Sequence, residues 1–299
     1  WEVGDQDPPP AGGNHSLSFD GVDDYVEVPD IGSLDAFTFE MWVRIDGSIG
    51  EYRGLFGTQS WGVSRVHWQI GSDNNLRCSI DGGGGSTYGV VGNYIFDEST
   101  IGQWFHLAAS YQSGETVKLF VNGVFDGEAN MTQTVNLTGL RIGDVYTQPR
   151  YFDGIIDEVR ISNTNRYTED FTPSFILDDD DNTIMLYHFN EGTGTTITDL
   201  SGNGNDGTIV GATWSDDMPV FGCTDPYADN YNSDANLDDG SCAGYPDNGD
   251  YSLSFDGVDD YLLIPSETIS NLNEATFSFD VMTGNEPNNI IFLIPQNWN

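Results

Sequence analysis

Residues 16–25 read Ser-Leu-Ser-Phe-Asp-Gly-Val-Asp-Asp-Tyr, and residues 252–261 read the same ten residues again, 236 positions later. The two copies continue in step more weakly, Phe37-Thr38-Phe39-Glu40 against Phe277-Ser278-Phe279-Asp280. An identical segment at such an offset marks two copies of one structural unit. The second copy runs only to Asn299, after its first strands. A sandwich takes strands from both ends of its sequence, so this second unit cannot close within the chain. The expected organisation is a linker or the end of a preceding domain over 1–13, a first domain over 14–218, a small acidic segment over 219–246, and the N-terminal part of a second domain over 247–299.

The intervening sequence is β throughout. In 37–45, Phe37, Phe39, Met41, Val43 and Ile45 alternate onto one face. In 116–121, Val117, Leu119 and Val121 do the same before Asn122-Gly123, a pair that tolerates positive φ and so signals a hairpin turn. Further strands are expected at 65–70, 75–80, 103–111, 140–145, 154–161 and 184–189. Thirty-six glycines, short apolar runs and frequent turns fit many short strands and exclude long helices. The predicted fold class is all-β, a two-sheet antiparallel jelly-roll sandwich, followed by a disulfide-closed acidic linker and the start of a second jelly roll.

Nine Lys and Arg stand against 48 Asp and Glu, a net charge of −39. Such a surface repels phosphate backbones and anionic bilayers, so nucleic acid and membranes are not expected partners. Oxygen-seeking divalent cations are. The plainer reading is that a salty habitat selects acidic surfaces for solubility. No run approaches the ~20 apolar residues of a membrane helix. The chain begins at Trp1 with no leader, so it reads as a mature or internal piece of an exported protein. Cys223 and Cys242 bracket 18 almost wholly polar residues that could not bury a core. A disulfide there would stabilise the segment by about 3 kcal/mol on the loop-entropy model and implies an oxidising, extracellular compartment. Cys78, alone in a strand-like run, is expected to be a buried, inert thiol.

Six segments in order carry a resemblance: SLSFDGVDDYVEVP, FTFEMWVRI, GQWFHLAASYQ, VKLFVNG, FDGIIDEVRISN and MLYHFNEGTGTTITDLSGNGNDGTIVG. Over about residues 14–216 the chain resembles the LamG-like jelly-roll family of the concanavalin A-like lectin superfamily. Residues 222–242 look like a short acidic repeat of secreted Bacteroidetes proteins. The resemblance implies two curved antiparallel sheets. It also implies a calcium ion between the FDG and GIIDEVRI motifs, held by Asp20 and Asp157, with Asp256 repeating Asp20 in the second copy. The alternative for Asp20 is an Asp-Gly turn, and for Asp157 a carboxylate that caps local amides. In the linker, Asn232, Asp234, Asn236 and Asp238 fall on alternate residues before Asp239-Gly240, as calcium-wrapping loops do, although the bidentate Glu of an EF-hand is missing.

Trp61, Tyr88, Tyr146 and Tyr151 are candidate stacking platforms for a sugar, against the alternative of ordinary packing. His67, His106 and His188 fall within strand-like alternation and are expected to be hydrogen-bonded structural residues. The adjacent Asp157 and Glu158 should point to opposite faces of a strand, unlike a glycanase acid–nucleophile pair. Gly82–Gly85 have no following helix and lysine to make a phosphate loop. Asn14, Asn130 and Asn136 begin Asn-x-Ser/Thr sequons of little weight. The expected function is therefore non-enzymatic: a calcium-stabilised adhesion module of a large secreted or cell-surface protein, with a glycan or surface protein as partner. The competing expectations are a spacer that self-associates in a stalk or filament, and an accessory carbohydrate-binding module of a polysaccharide-degrading enzyme.

Overall fold

The computed structural model describes residues 15–47, 49–58, 60, 62–83, 86–131, 133–145 and 150–244. Among these the protein is all β apart from one 3-10 turn at Glu98–Thr100. No helix there is long and apolar enough to cross a membrane.

Two antiparallel eight-stranded sheets face each other. Sheet A runs β11 (Val124–Asn130), β10 (Thr116–Val121), β9 (Trp104–Gln112), β4 (Ala36–Ile45), β14 (Asp153–Ser162), β1 (Ser16–Asp20), β18 (Thr213–Ser215), with β15 (Thr183–Tyr187) also paired to β14. Sheet B runs β16 (Thr196–Ile197), β17 (Gly207–Val210), β2 (Tyr25–Glu27), β13 (Leu140–Ile142), β5 (Arg53–Thr58), β6 (Val66–Ile70), β7 (Asn75–Gly83), β8 (Ser86–Ile95). Two short pairs complete the set: β3 (Ser33–Leu34) with β12 (Val135–Asn136), and β19 (Phe221–Gly222) with β20 (Leu237–Asp238). The first copy of the repeated segment, residues 16–25, is thus a strand of one sheet, a tight turn, and the first residue of a strand in the other; the second copy, 252–261, lies outside the described residues.

The alternation in the sequence becomes the core. Phe37, Phe39, Met41, Val43 and Ile45 of β4 are fully buried, as are Val66, Trp68 and Ile70 of β6 on the opposing sheet. Phe39 stacks on Phe56 at 5.4 Å, and Phe56 on Trp68 at 5.8 Å, joining the sheets through aromatic rings. Cys78 belongs to this interior, and burial pushes its thiol up to about 12, so it is unreactive as expected. The β10–β11 hairpin turns on Asn122 and Gly123, both at positive φ (50° and 76°).

The outer face of sheet A is covered twice. Residues 163–182 cross it as a strap. Arg166 donates its backbone N–H to Thr38 Oγ1 at 2.9 Å, Trp42 Nε1 donates to the Ser174 carbonyl at 3.1 Å, and Tyr167 stacks on Phe171 at 3.6 Å. Beneath the strap Glu40 is fully buried; it accepts from Arg160 Nε and from the Tyr167 hydroxyl, each at 2.8 Å, with Arg160 Nη2 at 2.8 Å and the His106 ring at 3.3 Å beside it. Burial alone would raise the Glu40 carboxyl, but His106, Arg160 and Tyr167 together hold it below the usual range.

The second cover is the Cys223–Cys242 segment, whose disulfide is formed. Phe221 and Leu237 pack against Trp42, Trp104 and Ile155, a small apolar cluster outside the main core. The acidic linker is therefore seated on the jelly roll through the two residues that make the β19–β20 bridge.

Acidic turn and outer sheet face as candidate functional sites

The turn between β1 and β2 gathers carboxylates. Gly21 adopts φ 77°, and a Cβ there would lie 2.8 Å from Asp153 Cβ. Asp20 N–H donates to Asp24 Oδ2 and Val22 N–H to Asp20 Oδ1, both at 2.8 Å. Carboxylate oxygens of Asp20, Asp23 and Asp24 lie within 4.8 Å of one another. Asp24 is buried, and burial together with the charges of Asp20 and Asp23 pushes its carboxyl up, against a lowering backbone hydrogen bond. Asp153 stands directly opposite Asp20 in the β1–β14 register. Burial raises it too; Arg53 offsets part of the rise, while Asp46 and Asp20 add to it.

Asp157 is not in this group. It lies four residues beyond Asp153, past the Leu17–Ile156 pair, so the structure does not bring Asp20 and Asp157 together. It occupies a β-bulge, which also overturns the opposite-face expectation for Asp157 and Glu158. Ile156 and Val159 both belong to the core, so the two residues between them lie off it. Glu158 sits at φ 50°, its carboxylate meets His188 Nδ1 at 2.7 and 2.8 Å, and it accepts the Leu177 N–H at 2.8 Å. Asp157 accepts the Glu158 N–H at 2.8 Å. Burial and the Glu158 charge push its carboxyl well up. His188 follows β15 instead of lying in it, and its role is to anchor this bulge.

A second candidate is the outer face of sheet B. Thr208, Glu27, Arg141, Gly57, His67, Ser79 and Gly89 are successive cross-strand partners, one row across seven strands. Gly54, Gln69, Arg77 and Val91 form a second row. Every neighbour along β6 that faces the other way is core, so these rows are the sheet's outward side. Asp144, Val145 and Arg150 cross over β5. A Cβ on Gly54 would sit 2.7 Å from the Arg150 carbonyl, and one on Gly57 2.6 Å from that of Asp144, so glycine at both positions makes room for them. Gly54 N–H donates to that Arg150 carbonyl at 2.7 Å.

This crossing divides the face. On one side Arg141 lies over the Tyr25 ring at 3.8 Å and pairs with Asp144 at 3.1 Å and Glu27 at 3.5 Å, with Tyr151 close enough to feel Asp144, Arg141 and Asp23. On the other side Arg150 lies over the Tyr52 ring at 3.9 Å and donates to Gln69 Oε1 at 2.7 Å. His67 is buried there; burial and the Arg150 charge lower it to about 4, so it is neutral at physiological pH.

Of the four aromatic candidates, half-buried Tyr151 falls on this face. Tyr88 lies in β8, its side chain outside the described residues, and Trp61, Tyr146 and Asp256 also lie outside them. Tyr25 and Tyr52 escaped sequence reasoning; the only signal was Tyr25 ending the repeated segment. In the linker the side chains make local turns. Asn232 accepts the Asp234 N–H at 3.1 Å and Asp238 the Gly240 N–H at 3.1 Å. Asn236 uses both ends, accepting the Val220 N–H at 2.8 Å and donating to the Met218 carbonyl at 2.9 Å.

The fold and these faces define a class. Residues 20–172 match the family model Laminin_G_3, described as the concanavalin A-like lectin/glucanases superfamily, and the chain belongs to that family. Among solved structures it is similar to a candidate carbohydrate-binding protein from Bacteroides ovatus ATCC 8483, with 20% identity and a TM-score of 0.55 over 69% of this chain and 60% of that one. The chain thus spans 60% of that relative's length. Weaker similarity extends to the heptameric SAP-like pentraxin of Limulus polyphemus, with 14% identity and a TM-score of 0.41 over 52% of this chain and 78% of that one. It extends also to domain 4 of AbnA, a GH43 extracellular arabinanase of Geobacillus stearothermophilus, with 24% identity and a TM-score of 0.39 over 49% and 69%. No curated protein matches the sequence.

Proposed function

We propose that the chain is a non-catalytic, calcium-stabilised glycan-binding module of a secreted or cell-surface protein, presenting the outer face of sheet B to its ligand. The observation that carries this is the polar face itself. Sheet A is covered by the strap and the disulfide-closed segment, whereas on sheet B the partly exposed Arg77 and Ser79 stand above the buried polar side chains of His67 and Gln69, beside crossing residues that two glycines admit. Hydrogen-bonding side chains beside half-exposed tyrosine rings suit a sugar, which has hydroxyls at its edge and C–H groups on its face. A non-catalytic reading is supported by the engagement of the Asp157–Glu158 pair in a bulge, with Glu158 held by His188 and Leu177.

In this reading calcium would be held by Asp20, Asp23 and Asp24, with Asp153 and Asp46 near them; the chemistry fits, because crowded carboxylates repel one another until a hard cation neutralises them. When bound, the ion would pin the β1–β2 turn to the start of β14. The test is thermal unfolding in calcium and then in chelator, for wild type and Asp24→Asn, together with glycan-array binding by wild type and Gly57→Leu. The reading expects a calcium-raised midpoint that Asp24→Asn loses, and binding that Gly57→Leu abolishes. Equal midpoints would remove the ion; array binding untouched by Gly57→Leu would remove the face. Seating of the disulfide-closed segment on sheet A favours a second reading, a rigid repeat in an extracellular array, whose mark would be concentration-dependent self-association in sedimentation.

A further inference from the structure

Which glycan the sheet-B face would take is written in the distribution of its charge. This inference rests on the reading of that face as the binding surface. The chain has nine cationic side chains among 48 acidic ones. Three of the nine guanidinium or ammonium groups, Arg77, Arg141 and Arg150, meet on the outer face of sheet B. Arg141 is matched by Asp144 and Glu27 on its own side of the crossing segment.

The other two are brought together. Arg150 Nη1 donates to Gln69 Oε1 at 2.7 Å, and Gln69 is the direct cross-strand partner of Arg77. Two guanidinium groups therefore flank one glutamine, and Arg77 opposes the charge of Arg150. Asp73 meets Arg77 at the rim and orients it. Arg150 is held from both ends: its carbonyl accepts the Gly54 N–H, and its guanidinium lies over Tyr52, which is 38% exposed. Glycine at 54 is a condition of that placement, since a Cβ would collide with the same carbonyl. Holding like charges together costs free energy, and the fold spends backbone and aromatic contacts on doing so. A bound anion would reverse the sign of that interaction and gain charge-assisted hydrogen bonds.

We propose that the part of the face bounded by Tyr52, Gln69, Arg77 and Arg150 takes the carboxylate or sulfate of an acidic sugar, so that the ligand is an anionic polysaccharide and not a neutral one. The chain's overall negative charge does not forbid this. At physiological salt the screening length is about 8 Å, so charges far beyond the face are largely damped, and a bound anion would compete with Asp73 for Arg77.

The experiment is calorimetric titration of the whole chain with four polymers: polygalacturonate, the same polymer after carboxyl reduction, dextran sulfate and unmodified dextran. The proposal expects binding to polygalacturonate, to dextran sulfate or to both, none to the two neutral polymers, and separates carboxylate from sulfate by which of the two binds. Arg150→Gln and Arg77→Gln should each weaken binding by about tenfold or more, the size of one lost charge-assisted hydrogen bond, with unfolding midpoints unchanged. Equal binding of charged and neutral polymers would leave the sheet-B reading standing and overturn the anionic ligand. Anion binding unaffected by both substitutions would place it elsewhere and overturn the proposal. Failure to bind any of the four, or any member of a neutral glycan array, would overturn this inference and the sheet-B reading together.

Discussion

At the scale of single residues, the most constrained side chain is Glu40. It has no contact with solvent and is matched by Arg160, Tyr167 and His106. Removing one member of such a buried set leaves an uncompensated charge. Glu40→Ala should therefore cost about 3–5 kcal/mol in denaturant unfolding, while replacing Glu40 and Arg160 together by Met and Leu should cost much less. His67 offers a pH-resolved test. Burial and the Arg150 charge hold it at about 4, below the ordinary histidine value of 6.5. Below pH 6.5 the unfolded chain takes up a proton that the native state refuses, so this contribution to stability is whole above pH 6.5 and is lost as pH falls toward 4. His67→Gln should flatten that part of the curve, measured as the wild-type-minus-variant difference in unfolding free energy across pH 4–7; a constant difference would refute the assignment.

At the scale of elements, two segments are fixed by what they lie on. The placement of Asp144, Val145 and Arg150, which cross β5, depends on Gly54 and Gly57 beneath them, whose added Cβ atoms would stand 2.7 and 2.6 Å from backbone. Backbone cannot rotate away as a side chain tip can, so Gly57→Ala should displace the crossing, at roughly 1–3 kcal/mol, and weaken ligand binding on both halves of the face. The disulfide-closed segment depends on Phe221 and Leu237 over Trp42 and Trp104. Phe221→Ala with Leu237→Ala should cost ~2 kcal/mol, since both anchors are only partly buried, and should red-shift tryptophan emission. An unchanged spectrum would mean that the segment is not seated there in solution.

At the scale of the whole molecule, the same asymmetry organises both sheets. Sheet A turns a polar, partly aromatic outer face toward its own chain, which covers it. Sheet B turns one outward and holds its crossing segment over glycine. The first copy of the repeated segment, continued by Val26, joins the two, since Leu17 and Phe19 enter the core from sheet A and Val26 enters it from sheet B. The acidic turn between them is where a cation would tie one sheet to the other.

The strands near 37–45, 65–70, 75–80, 103–111, 116–121 and 154–161, the Asn122-Gly123 hairpin, the burial of Cys78, the Cys223–Cys242 bridge and membership of the superfamily were legible in the sequence, whereas the Gly-rich β5 and β8 were not. Each of the former rests on local periodicity, local turn chemistry or a motif, which need no knowledge of the partner strand. What only the tertiary structure decided depends on register. That Asp153, not Asp157, faces Asp20 follows from the β1–β14 pairing. That Asp157 and Glu158 share a side follows from one extra residue in a bulge, which breaks a two-residue alternation without leaving a mark on composition. Arg77 and Arg150 are 73 positions apart in the chain, and they meet because β6 places Gln69 beside β7 while Gly54 draws the crossing segment down onto β5. Periodicity says which way a side chain points; only the pairing of distant strands says what it points at.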